Sequence, residues 1–175
     1  MKKIISLTIT VILLLSTLFS FVSFANAELE NGLQSEAYIV TDAATGQILY
    51  AKNHEKQETL SGITKVMTAA IALEKLELDA NATATVSAVG NDVVPRDTIN
   101  ISLVKGETID VKSLLHATLL AGANDAANVL AEAASGSIEN FVKQMNEKAT
   151  ALGCNNTKFY NANGLTSDTA QNNVT

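Results

Sequence analysis

The stretch Ser61-Gly62-Ile63-Thr64-Lys65-Val66-Met67-Thr68-Ala69-Ala70-Ile71-Ala72-Leu73 decides the fold. Ile63, Val66, Met67, Ala70 and Ile71 recur at helical spacing, and neither Gly nor Pro intervenes before Leu76. The period predicts a helix over about 62–76, with Ile63, Val66, Met67 and Ile71 turned inward. Residues 69–73 are apolar nearly all round, which suits a central helix. Ser61 stands where an N-cap would. Lys65 is the one charged residue in the run, and its long stem allows it to snorkel toward a cleft.

Upstream, Ala37-Tyr38-Ile39-Val40-Thr41 and Gln47-Ile48-Leu49-Tyr50-Ala51-Lys52 read as two strands around the turn residues Asp42 to Gly46. Downstream, Ala84-Thr85-Val86 and Thr98-Ile99-Asn100-Ile101 are short extended candidates, and residues 111–120 read as a helix. Asp125 is placed to cap the next helix, from about 125 to 134. Ser137 caps the last one, whose apolar stripe Ile138, Phe141, Val142, Met145, Ala149, Leu152 ends at Gly153. The final ten residues are polar and carry no closing element. Two strands alone are marginal in water, so the chain reads as lacking the rest of its sheet.

Met1-Lys2-Lys3, the apolar run Ile4 to Phe24 and the small-x-small site Ala25-Asn26-Ala27 form an export signal. Residues 1–27 are read as signal peptide and 28–175 as one domain. The apolar run is also long enough for an uncleaved anchor; either way the domain is exported, and the signal is its only membrane contact. The chain has 175 residues and a formal net charge of −6, and Lys2 and Lys3 lie in the signal, so the folding part is more acidic still. An acidic chain with no Trp and 5% aromatics repels nucleic-acid phosphates. Its 47% hydrophobic content excludes a disordered tail.

Cys154 is the only cysteine, which excludes an internal disulfide and a thiolate zinc site; it reads as a small buried residue. His54 and His116 have no metal-ligand or triad spacing. No metal and no cofactor is expected.

Thr64-Lys65-Val66-Met67-Thr68-Ala69 and Asn124-Asp125-Ala126-Ala127 carry a further signal. With them stand Asp42, Thr45-Gly46, residues 101–107 and 141–149, Thr157-Lys158-Phe159 and Asn163-Gly164-Leu165. In this order they resemble the serine-type D-alanyl-D-alanine carboxypeptidases (peptidase S11-like), the low-mass penicillin-binding proteins of cell-wall metabolism, from about Glu36 to Leu165. The resemblance implies an α+β, β-lactamase/transpeptidase-like fold, here its N-terminal hairpin and helical region with the C-terminal strands of the sheet absent. It implies a peptidoglycan stem peptide or a β-lactam as partner.

That family's chemistry uses S-x-x-K, S-x-N and K-T-G. Lys65 matches the lysine of the first motif and Asn124 the asparagine of the second. Gly62 and Gly122 stand at the two serine positions, and K-T-G does not occur in the sequence. A glycine cannot form an acyl-enzyme. Ser61 is the one substitute nucleophile, four residues before Lys65 rather than three and displaced from the family's position. The expectation is a serine-peptidase domain that is inactive as it stands. The alternative is a non-catalytic exported module that binds the stem peptide or a cell-wall partner.

Overall fold

The computed structural model describes residues 33–76, 82–87, 94–166 and 173–175. The signal-peptide reading of 1–27 lies outside the described residues. The chain divides into two compact units, residues 1–56 and 57–175.

In the first unit, β1 (Tyr38–Thr41) and β2 (Ile48–Lys52) pair antiparallel, with Tyr38 opposite Lys52, Val40 opposite Tyr50 and an irregularity between Val40 and Thr41. The turn is made by Asp42. Its Oδ1 accepts the Thr45 amide at 2.7 Å, the Thr45 hydroxyl at 2.8 Å and the Ala44 amide at 3.1 Å. The Thr45 hydroxyl and amide hold this carboxyl below its usual range. Gly46 follows at φ 73°, a left-handed position that glycine takes without a Cβ penalty. Ile39, Val40, Ile48, Leu49 and Tyr50 remain exposed, and no further strand joins the pair among the described residues.

The second unit opens with a 3-10 turn, Ser61–Ile63, that runs into α1 (Thr64–Lys75). After it, β3 (Thr83–Thr85) pairs antiparallel with β4 (Thr108–Asp110). Three helices complete the unit: α2 (Val111–His116), prolonged by a π-turn over Ala117–Ala121, α3 (Asn124–Ser135) and α4 (Ile138–Ala151). Asp110 caps α2 by accepting the Ser113 amide at 2.8 Å. Ser137 caps α4 through the Asn140 amide, as its sequence position predicts.

The helix α1 packs on α3, and the core lies on either side of that pair. One cluster joins Ala69, Ala72, Leu103, Leu114, Val129 and Leu130; the other joins Ile71, Ala131, Phe141, Met145, Phe159 and Ala162. The inward face of α1 differs from the expected one. Ile71 is buried and Met67 half-buried, but Ile63 and Val66 are 69% and 62% exposed. The buried positions are Thr64, Lys65, Thr68, Ala69, Ile71 and Ala72. The small residues Ala69 and Ala72 of α1 share one cluster with Ala126 of α3, Ile71 shares the other with Ala131, and the polar residues on this face find partners.

Other expectations are corrected. Ser61 is no N-cap: it lies inside the 3-10 turn at φ 43°, and α1 begins without a side-chain cap. Residues 98–101 are a bend and irregular chain rather than a strand, and here Asn100 donates to the Thr98 carbonyl and accepts the Ser102 amide. Asp125 lies in the first turn of α3, with Ala123 at the N-cap. Its fully buried carboxylate accepts the Ala126 amide and also reaches out of the helix to the amides of Ile101 and Leu103. Cys154 is exposed rather than buried; it follows Gly153, at φ 79°, and its amide donates to the Ala149 carbonyl at the end of α4.

The polar end of the chain is tied in. Val174 exchanges backbone hydrogen bonds with Lys158, Thr175 exchanges them with Glu58, and the Leu60 amide donates to Asn173. The Asn173 side chain is 1% exposed. Its Oδ1 accepts the amides of Tyr160 at 2.6 Å and Asn161 at 3.1 Å. Its Nδ2 donates to Thr64 Oγ1 at 2.9 Å and to Asn161. Removing such a group strands several buried partners, so Asn173→Ala is expected to cost about 2–4 kcal/mol. Urea unfolding of the variant beside the parent chain checks this, and a loss under about 0.5 kcal/mol would contradict it.

Candidate active site

Lys65 is the second residue of α1 and is 7% exposed. Its Nζ donates to Asn124 Oδ1 at 2.7 Å and to the Asn163 carbonyl at 2.6 Å. Lys65 and Asn124, singled out 59 positions apart in the sequence, are therefore in direct contact. Neither acceptor is charged, and burial pushes the Lys65 amine below its ordinary value of 10.5.

Each partner is held in place from another direction. Asn124 opens α3, and its own amide donates to the Ile99 carbonyl at 2.9 Å. The Ile101 and Leu103 amides that Asp125 binds follow that contact along the chain, so the 99–103 segment is stitched to the start of α3. Asn163 donates to Asn128 Oδ1 at 3.1 Å and accepts the Leu165 amide at 2.8 Å. Asn128 lies four residues after Asn124 and so shares its face of the helix. Thr68, one turn after Thr64, donates to the Ala162 carbonyl at 2.5 Å. Asn128, Thr68 and Asn163 are site residues that motif reading did not assign. Asn163 had a signal, the phrase Asn163-Gly164-Leu165; the other two had none beyond their polarity on apolar helix faces.

The serine positions differ from each other. Gly62 is exposed, and a β-carbon there would meet nothing within 4 Å. Gly122 closes the π-turn at φ 72°, two residues before Asn124, and a β-carbon there would touch only Ile99 at 3.9 Å. Space is open at both, but only Gly122 needs a left-handed backbone. Ser61 is exposed, and its hydroxyl is not a partner of Lys65. Alongside the site an open cleft of about 350 Å³ is lined by Pro95, Thr98, Asn128, Asn163, Leu165 and Thr166, among others. Among the described residues no cluster of acidic, His or Cys side chains could hold a metal ion.

Gly164 fixes the turn before Lys65. It lies at φ 79°, and a β-carbon on it would stand 1.8 Å from the Ser61 carbonyl oxygen. Backbone cannot yield as a flexible side chain does. Gly164→Ala is therefore expected to destabilise the chain by about 3 kcal/mol or more, from overlap and left-handed strain together. Thermal unfolding checks it. The Lys65 amine gives a second prediction. Its folded pKa lies below the unfolded one, so the unfolded chain binds more protons between the two values. Stability must therefore rise with pH through that alkaline window, up to about 10.5. Lys65→Met should remove this rise; equal pH slopes for the two proteins would refute it.

Comparison with known proteins places this geometry. The family model for D-alanyl-D-alanine carboxypeptidase, peptidase S11, matches residues 24–174. The chain is 32% identical over 172 residues to the D-alanyl-D-alanine carboxypeptidase DacF of Bacillus subtilis, which covers 96% of this chain and 44% of DacF. Its fold matches the crystal structure of the D-alanyl-D-alanine carboxypeptidase DacD from Francisella tularensis with a TM-score of 0.72 at 27% identity, covering 83% of this chain and 35% of that one. Penicillin-Binding Protein D2 from Listeria monocytogenes, in its ampicillin-bound form, matches with a TM-score of 0.65 at 29% identity, over 82% of this chain and 57% of that one. The chain thus spans less than half the length of the curated relative and shares the penicillin-binding fold in part. It belongs to the D-alanyl-D-alanine carboxypeptidase family, peptidase S11.

Proposed function

We propose that the chain is an exported, cell-envelope domain of this family whose cleft faces the D-alanyl-D-alanine end of the peptidoglycan stem peptide, and that as it stands it does not hydrolyse it. The observation that carries the reading is the Lys65–Asn124 contact at 2.7 Å beside a glycine. A buried amine with a lowered pKa is the general base that S-x-x-K chemistry requires. The hydroxyl it would deprotonate is missing at Gly62 and again at Gly122. Lys65 and Asn124 are assigned to the family's motif positions; Ser61 is not assigned a catalytic role.

The intact base, the open space at Gly62 and the adjoining cleft also favour a second reading, a non-catalytic module that binds the stem peptide or a cell-wall partner. β-Lactams enter both readings because a relative of this fold carries ampicillin. Two measurements separate the readings. Fluorescent penicillin should leave no covalent band on the chain, because labelling needs a nucleophilic hydroxyl. Gly62→Ser fits the open space but should gain little labelling, since the Gly122 hydroxyl and K-T-G remain absent. Labelling of the unmodified chain that vanishes in Ser61→Ala would overturn the inactive assignment. Calorimetric titration with an acyl-D-Ala-D-Ala peptide then tests reversible binding, and heat of binding without turnover favours the module.

A further inference from the structure

We infer that Asn128 is the ligand-binding donor of the cleft beside Lys65, taking a peptide carbonyl oxygen on its side-chain amide. Its orientation follows from a chain of hydrogen bonds that runs one way. The Leu165 main-chain amide can only donate, and at 2.8 Å it holds the oxygen of the Asn163 side chain toward itself. The Asn163 amide nitrogen must then face Asn128, to which it donates at 3.1 Å. That contact uses Asn128 Oδ1 and turns Asn128 Nδ2 away. Asn128 is 2% exposed, and its Nδ2 has no protein partner among the described residues. What little of the residue reaches solvent includes that nitrogen. Asn128 lines the open cleft of about 350 Å³, so its free N–H groups lie at the cleft wall.

The rest of the wall suits an uncharged peptide segment. Pro95, Ile138 and Leu165 are apolar, and none of the described lining residues is charged. An ion entering here would give up water without meeting a counter-ion on the wall. The Thr98 hydroxyl donates to the Pro95 carbonyl at 2.7 Å and keeps its lone pairs. The wall therefore offers an acceptor for a ligand N–H as well as a donor for its C=O. Water can meet a lone donor but gains nothing from apolar neighbours, whereas a directed amide among apolar side chains is how ligand clefts fix a polar group. Asn128 follows Asn124 by about one turn of α3. It is bonded to Asn163, whose carbonyl holds Lys65 Nζ. A ligand gripped by Asn128 thus lies beside the Lys65–Asn124 contact. Applied to the stem peptide, the inference rests on the reading above; the donor itself does not.

Heteronuclear NMR of the full chain at pH 7 reads the Asn128 side-chain amide directly. Two probes are titrated separately, the neutral N-acetyl-dialanine amide and an acyl-D-Ala-D-Ala peptide. A saturable shift of the Asn128 Nδ2 protons is expected with both. A shift with the neutral probe alone upholds the donor and removes the stem peptide as its ligand. If neither probe moves these protons, the inference is overturned. If the D-Ala-D-Ala peptide shifts other resonances and leaves Asn128 unmoved, the inference fails and the reading above stands. Asn128→Asp keeps the oxygen that accepts from Asn163 and puts a second oxygen where the donor stood. It should weaken binding of the shifting probe about tenfold or more, and unchanged affinity also overturns the inference. Where that variant does not fold, the shifts in the parent chain decide.

Discussion

The second unit depends on the burial of one amine. An amine removed from water must keep hydrogen-bond acceptors or its helix cannot face inward. The acceptors of Lys65 come from Asn124 on α3 and from the carbonyl of Asn163, far along the chain. Satisfying one side chain therefore ties three segments together: α1, the start of α3 and the 158–165 segment. The surrounding bonds extend the same solution. Thr68 binds Ala162, Asn163 binds Asn128, and Asn173 binds Thr64 and both ends of Asn161.

Five of the residues in this network are asparagines: Asn124, Asn128, Asn161, Asn163 and Asn173. The amide side chain both donates and accepts and carries no charge. It can join carbonyls, amides and hydroxyls in a buried region without the desolvation cost of an ion. The one buried carboxylate in the region, Asp125, shows the alternative: it is covered by three main-chain amides rather than by a cation. Two of those amides, of Ile101 and Leu103, anchor the 99–103 segment where Asn124 begins α3, so the carboxylate and the asparagine both tie that helix end to other parts of the chain.

Much of this was legible in the sequence, and the gaps have physical reasons. The α4 stripe of Phe141, Met145 and Ala149 and the Ser137 cap follow from periodicity and capping, since that helix buries large apolar residues on one side. The Asp42 turn is equally local. Periodicity misplaced the inner face of α1 because it counts apolar residues, whereas that face is built from Thr64, Lys65, Thr68 and small alanines whose burial depends on partners elsewhere. Strand β4 has three residues, too few to show alternation. The pairing of Val174 with Lys158 involves side chains with no pattern, because main-chain bonds carry it. At the site, resemblance to a family brought out Lys65 and Asn124, but it gave no sign of Thr68 or Asn128, which act by hydrogen-bonding loop residues.

The two glycines bear differently on the framework. The hydrogen bonds of Lys65 run to carbonyl oxygens and never to residues 62 or 122, so neither glycine is needed to hold the amine. At Gly62 the backbone is ordinary and the space is empty, and a serine there disturbs nothing. At Gly122 the chain takes a left-handed turn that a side chain strains by about 1 kcal/mol. A glycine at 122 thus stabilises the turn that delivers Asn124, while at 62 nothing in the backbone or the packing calls for one. The packing of α1 and the residues at 62 and 122 are therefore separable here. The Lys65 amine keeps its place whatever stands at those two positions, because what holds it is the cost of leaving a buried amine unsatisfied.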